Sequence, residues 1–307
     1  MKIQSHKTSQ SSFKRLKFIK DSNGAHWVGD GFPVRNIFSY SDIAQEISPF
    51  LLLDYAGPTE FKPTDTKRGV GEHPHRGFET VSIVYHGEVS HRDSSGGGGT
   101  IGPGEVQWMT AASGVVHEEY HGPNYSRTGG RFQMVQLWVN LPAHLKMSPP
   151  RYQSITREQI PEASLANNAG SVRVIAGNCL GSHGPAQTFT PMNVWDVRLK
   201  AGGKAVFELP EGHTATFLVL EGIAQVTDKS GALQEIHEAQ VAVLDTVGTT
   251  LEIKAASHSD KNCMLLVMSG EPLNEPVVGY GPFVMNTEQE IRQAYQDYRS
   301  GKMGKLT

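Results

Sequence analysis

The sequence predicts an all-β protein made of two tandem β domains of similar build, followed by one C-terminal helix. Three observations carry this expectation. The chain holds 33 glycines and 17 prolines, about 16% of its residues against ~12% in average composition, which frequent chain reversals would explain. Its apolar runs are short, rich in β-branched and aromatic residues, and bounded by turn formers. After a proline-marked interruption the same style resumes, and 307 residues suit two units of roughly 150 each.

In chain order, residues 1–15 are rich in Ser, Lys and Gln and are expected to form a loose arm. Strand signals follow at Phe50-Leu51-Leu52-Leu53, at Thr80 to Tyr85 and at Met134 to Val139. Asn140-Leu141-Pro142, Pro149-Pro150 and Pro161 then mark a connection that cannot continue a central strand. The division is placed there, with residues 1–145 as the first domain and 146–307 as the second. Strand signals return at Val172 to Ile175, Val194 to Val197 and Ala215 to Leu220. Glu72-His73-Pro74-His75 leading to Gly87-Glu88-Val89 is weakly echoed by Glu211-Gly212-His213 leading to Glu221-Gly222-Ile223, which suggests duplication. The helix is predicted after an Asn286 N-cap, with Glu288 and Gln289 in its first turn and Gly301 as its stop. Ile291, Ala294, Tyr295 and Tyr298 fall on one face at spacings of three and four, a packing stripe.

Composition narrows the function. The chain is 38% hydrophobic with 28 Lys plus Arg against 31 Asp plus Glu, a net charge of −3. That balance argues against a protein built to coat nucleic acid, which needs a concentrated basic surface. No apolar run reaches the roughly 20 residues of a spanning helix, and Met1-Lys2-Ile3-Gln4-Ser5-His6 lacks an apolar signal segment. The two cysteines, Cys179 and Cys263, supply neither a disulfide framework nor a thiolate zinc site, so a cytoplasmic location is expected.

Six of the 13 histidines lie between residues 73 and 121. His73 and His75 are two apart in an extended context and so share a strand face. His117 and Glu119 repeat that relation beyond a Gly-rich hairpin at Gly96 to Gly99. On neighbouring strands of a small barrel, two such pairs can converge from opposite walls. Three imidazoles and a carboxylate suit a divalent transition ion rather than Mg or Ca. Four protein ligands leave an octahedral ion two open positions. Glu79 is an alternative to Glu119 as the carboxylate, or a hydrogen-bond acceptor behind a histidine. His121 is a further candidate behind the ligands, and Arg76 a partner for a nearby acid. His86 and His91 are expected at the surface. The second half lacks equivalent donors: Ala215 stands two after His213, so that half is expected to serve as scaffold.

These residues resemble the pirin family of the cupin superfamily. The resemblance is carried by Glu72-His73-Pro74-His75-Arg76-Gly77-Phe78-Glu79-Thr80-Val81, by Gln107-Trp108-Met109-Thr110-Ala111, by Gly114-Val115-Val116-His117-Glu118-Glu119 and by Gln136-Leu137-Trp138-Val139-Asn140-Leu141. Gly279-Tyr280-Gly281-Pro282-Phe283-Val284-Met285-Asn286 extends it toward the C-terminus. It implies a bicupin of two jelly-roll barrels with one metal, usually iron, in the first. Its ligands fall on His73, His75, His117 and Glu119. The general cupin pattern instead takes its carboxylate from the first motif, where Glu79 stands, and has an Asn where this chain has His121.

The resemblance further implies quercetin 2,3-dioxygenase activity, in which a flavonol ring is opened by dioxygen with release of carbon monoxide. Fe(II) is then the expected ion, and Glu119 the base that removes the flavonol 3-hydroxyl proton. Asp54, Trp108, Met109 and Phe132 are candidates for the substrate pocket. The alternative is a non-enzymatic, iron-dependent redox regulator that binds a transcription factor or a metabolic enzyme.

Overall fold

The computed structural model describes residues 13–259 and 261–306; the first twelve residues of the expected arm lie outside the described residues. The fold is two β barrels of jelly-roll type, each a seven-stranded sheet facing a four-stranded one. In the first barrel the large sheet runs Arg151–Ile155, Val106–Thr110, Phe78–His86, Gly130–Asn140, Phe50–Phe61, Phe32–Phe38, Ala25–Val28. The small sheet runs Gly69–His75, Val115–His121, Val89–Asp93, Gly98–Ile101. The second barrel repeats the plan, with Thr214–Glu221, Cys263–Gly270 and Met192–Leu199 central in its large sheet.

Alternation along the strands assigns each side chain to one of two faces. Val81, Ile83 and Tyr85 of one strand and Val135, Leu137 and Val139 of its neighbour face outward from the first barrel. There they join Ile175, Val194, Leu218, Leu220, Leu266 and Met268 of the second in a single apolar core. The large sheets therefore pack against each other. The interior of the second barrel is filled by Trp195, Phe207, Phe217, Val219 and Leu265. The interior of the first holds Ser82, Gln107, His117 and Glu119, all buried, and so has polar groups where its twin has hydrocarbon.

Strand pairing crosses the 145/146 division at both ends of the chain. Leu16–Lys20 pairs antiparallel with Val241–Leu244 as an edge of the second barrel. Lys14, expected in the loose arm, is buried, and its Nζ donates to the carbonyls of His213 at 3.1 Å and Thr246 at 2.9 Å. The arm is thus fixed from this point because the barrel edge needs a partner. Conversely, the ribbon Val278–Tyr280 with Phe283–Met285 returns to the first barrel, where Phe283 bridges Arg76.

The C-terminal helix spans Glu288–Arg299, one residue later than the Asn286 cap predicts. Thr287 Oγ1 accepts from the Glu290 backbone N–H at 3.2 Å. Ile291 and Ala294 are buried as expected, but Tyr298 is 37% exposed. Asp297 takes the inner position instead, accepting from Arg76 Nη1 at 2.9 Å. A short helix, Pro123–Thr128, was not expected from the sequence. Among the described residues no helix is long and apolar enough to cross a membrane.

Candidate metal centre

The strands Gly69–His75 and Val115–His121 pair antiparallel, with His117 opposite His73 and Val115 opposite His75. A register shift after His117 sets Glu119 opposite Val70. The two donor pairs therefore stand on adjacent strands of one sheet, not on opposite walls as the spacing had suggested. Along the other edge of Val115–His121 lies Val89–Asp93, where His91 faces Glu119 and Asp93 faces His117.

The ligand atoms of His73, His75 and His117 lie within 4.8 Å of one another, and so do those of His91, His117 and Glu119. His73 Nε2 and His117 Nε2 are 2.8 Å apart. Two nitrogens ~2.1 Å from an ion and at a right angle would stand ~3 Å apart, so the spacing suits a shared cation. The hydrogen bonds behind the rings agree. His73 Nδ1 lies 2.8 Å from the Gly71 carbonyl and His75 Nδ1 3.4 Å from the Pro282 carbonyl. A carbonyl only accepts, so Nδ1 is the donor in both rings and Nε2 is the nitrogen left for an ion. Burial, reinforced by the neighbouring histidines, holds His75 and His117 well below the usual imidazole range and hence neutral. Neutral imidazoles presenting lone pairs to one point form a donor set for a divalent transition ion.

The cluster opens on a cavity of about 420 Å³. Its walls are mainly apolar, including Val28, Phe32, Val34, Met134 and Trp138, and His73, His75 and Glu119 also line it. Trp138 stacks on Phe78 at 4.2 Å and meets His75 edge-on at 5.2 Å, which restrains the imidazole from the cavity side. A polar row crosses the wall. Asn36, Asp54, Gln136 and Ser82 are successive cross-strand partners. Asn36 Nδ2 donates to Asp54 Oδ1 at 2.8 Å, and Ser82 Oγ lies 2.5 Å from Gln136 Oε1 and 3.5 Å from Glu119 Oε1. Burial raises the Asp54 pKa, partly offset by the Asn36 hydrogen bond.

Residues 31–139 match the pirin family model and residues 194–304 match the pirin C-terminal cupin domain. The chain belongs to the pirin family. It is 55% identical over 289 residues to a Pseudomonas aeruginosa protein named provisionally as a quercetin 2,3-dioxygenase, covering 94% of this chain and 98% of that one. It is 36% identical over 277 residues to human pirin, covering 90% and 89% of the two chains. A crystal structure of quercetin 2,3-dioxygenase from Acinetobacter baumannii superposes with a TM-score of 0.90 at 50% identity, over 96% of this chain and 100% of that one.

In this pirin the other sequence candidates separate by strand face. Asp54 lines the cavity. Phe132 packs beneath it, 5.8 Å from the Phe32 ring. Met109 lies inside the barrel with Ala111, Val115 and Tyr152 but does not line the cavity. Trp108 faces the core between the barrels. Glu79 is on that same side: it is fully buried, accepts from Thr110 Oγ1 at 2.7 Å, and is pushed up to about 7 by burial. Counting parity from His75 misplaced it because the chain turns at Gly77. With φ +91 and a Cβ position 2.0 Å from the Val284 carbonyl oxygen, Gly77 breaks the alternation. His121 stacks on Phe132 at 4.9 Å and bonds the Gly31 carbonyl through Nε2 at 2.8 Å, away from the cluster.

Besides Ser82, Gln136 and the apolar wall, two residues behind the cluster escaped the sequence reading. His91, expected at the surface, is 4% exposed, and its Nδ1 is 3.2 Å from His117 Nδ1. Asp93 stands behind it, with Oδ2 3.3 Å from His91 Nε2. The signal was present: His91 and Asp93 are a donor pair two apart, the same spacing that singled out His73 with His75 and His117 with Glu119.

Proposed function

We propose that this pirin is an iron-dependent cytoplasmic dioxygenase that opens the ring of flavonols such as quercetin with release of carbon monoxide. The observation that carries the reading is that His73, His75 and Glu119 line a largely apolar cavity of about 420 Å³. That size lies within the ~300–1,000 Å³ of small-molecule sites. His73, His75, His117 and Glu119 would hold the ion. When bound, it supplies the Lewis-acid and redox chemistry that side chains lack.

The chain's own residues do the rest. The apolar wall of Val28, Phe32, Val34 and Trp138 binds and desolvates an aromatic substrate. Asp54 and Gln136 orient it by hydrogen bonds to its hydroxyl groups. A Glu119 carboxylate oxygen takes the proton from the 3-hydroxyl, leaving an electron-rich enolate for attack by dioxygen. Ser82 directs that carboxylate.

The test is anaerobic reconstitution with Fe(II), followed by quercetin and air. Loss of flavonol absorbance with carbon monoxide release is expected from the wild type. A Glu119→Gln protein should be slower by ~10²–10⁴-fold, the usual worth of a positioned base. Wild type and Glu119→Gln at the same background rate would reject the enzymatic reading.

A further inference from the structure

The three histidines of the cluster are not backed alike. Carbonyl oxygens stand behind Nδ1 of His73 and His75, and a carbonyl dictates where the proton sits. Behind His117 stands another imidazole, His91, at 3.2 Å. A neutral imidazole can donate or accept, so this contact alone does not decide which nitrogen of His117 is bare. Asp93 decides it. Its Oδ1 already accepts from the Ser95 backbone N–H at 2.8 Å, the Ser95 hydroxyl at 2.6 Å and the Gly97 N–H at 3.0 Å. Its Oδ2 is left facing His91 Nε2 at 3.3 Å.

We propose that Asp93 and His91 are positioning residues that fix the His117 proton on Nδ1 and present its bare Nε2 to the ion. Asp93 accepts from His91 Nε2–H, so His91 Nδ1 accepts from His117 Nδ1–H. The inference rests on the reading of the cluster as a metal centre but not on its catalysing any oxygenation. The side chains of His91 and Asp93 are both 0% exposed, so water cannot replace either partner. Tyr152 lies parallel to the His91 ring, 4° apart in plane at 5.4 Å, and restrains its rotation. Burial opposes ionisation of Asp93, but hydrogen bonds from His91, Ser95 and Gly97 outweigh it and hold its pKa at about 2, so the acceptor stays charged. An acceptor behind a ligand histidine also makes its metal-facing nitrogen more basic.

The experiment uses the full chain. In protein loaded with diamagnetic Zn(II) and labelled with ¹⁵N-histidine at neutral pH, where the ion replaces any proton between the two Nε2 atoms 2.8 Å apart, His117 is expected to show a protonated Nδ1 and a metal-bound Nε2. A proton on Nε2 with the ion on Nδ1 in the wild type overturns the proposal without recourse to any variant. Ni(II) titration then compares wild type with His91→Phe, which keeps a ring beside Tyr152, and with Asp93→Asn. Both should bind one ion per chain with affinity lowered ~10–100-fold, as for other partners behind ligand histidines. His91→Gln, whose amide oxygen can accept the same proton, should recover most of the loss. Unchanged affinity in His91→Phe and Asp93→Asn sinks the idea, and loss of the ion altogether would make His91 a ligand rather than a prop. A wild type that binds Ni(II) in this way yet never oxidises quercetin would defeat only the dioxygenase reading.

Discussion

What stands behind each imidazole, and how closely the backbones approach, sets the site at the level of single residues. Gly69 is a point of close approach beside the cluster. A Cβ added there would meet the Glu119 carbonyl oxygen at 2.1 Å and Tyr120 Cα at 2.6 Å. Both are backbone atoms of the strand that carries two candidate ligands, so relief would have to come from moving that strand. Gly69→Ala should therefore cost ~1–3 kcal/mol of stability, as overpacking does, and weaken Ni(II) binding at least ~10-fold through misplaced Glu119. Gly71→Ala is the control: its nearest neighbour is the Tyr120 hydroxyl at 3.7 Å, and affinity should not change. Equal affinities for both variants, measured by titration, would show that Glu119's backbone position is not what Gly69 protects. The shared face of His73 with His75, and of His117 with Glu119, was legible in the sequence because a period of two is a local property of a strand. The burial of His91 was not, because it depends on Tyr152 closing over it from a strand some 60 residues later. Glu79 was misjudged because one glycine turn separates its strand from that of His75.

Whole elements depend on a few buried polar staples. Lys146, in the connection from Gly130–Asn140 to Arg151–Ile155 of the first barrel, is 1% exposed. Its Nζ donates to the Gly77 carbonyl at 2.7 Å, Asn140 Oδ1 at 2.6 Å and the Val284 carbonyl at 3.0 Å. It thereby ties the turn after His75 to the end of Gly130–Asn140 and to the C-terminal ribbon. Lys146→Met would orphan three buried acceptors and should destabilise the protein by ~2–3 kcal/mol at neutral pH. Burial lowers the amine's pKa from 10.5 to about 7, so between these values the unfolded chain binds more protons than the folded one. The penalty of burying the charge is full below pH 7 and is relieved as pH rises, so the stability of wild type relative to Lys146→Met should increase from pH 7 to pH 10. Urea unfolding at those two pH values reads this directly, and a flat or falling difference would contradict it. The sequence revealed the strands and the C-terminal helix, whose apolar patterns are local. It did not reveal that the first and last elements exchange barrels, because an edge strand's partner is set by tertiary pairing.

The two barrels of the molecule are joined by a core that they share, in addition to the apolar interior of the second. Large-sheet residues of both barrels share an apolar cluster, and polar ties cross between them: Tyr55 Oη donates to the Leu220 carbonyl at 2.9 Å and Arg173 Nη2 to the Gly104 carbonyl at 2.6 Å. Leu16–Lys20 belongs to the second barrel in space but precedes the first in sequence. Separating the barrels would expose the shared core on both faces, so neither is expected to persist once the other has melted. Calorimetry of the metal-free protein should then show one cooperative transition. An ion bound only in the first barrel should stabilise the whole of it, by ~2.7 kcal/mol at a free concentration one hundred times Kd. Two resolved transitions, of which only one moves with Ni(II), would mean that the barrels fold independently. The apolar second barrel would then be an appended domain rather than the support on which the first barrel keeps a polar, metal-ready interior.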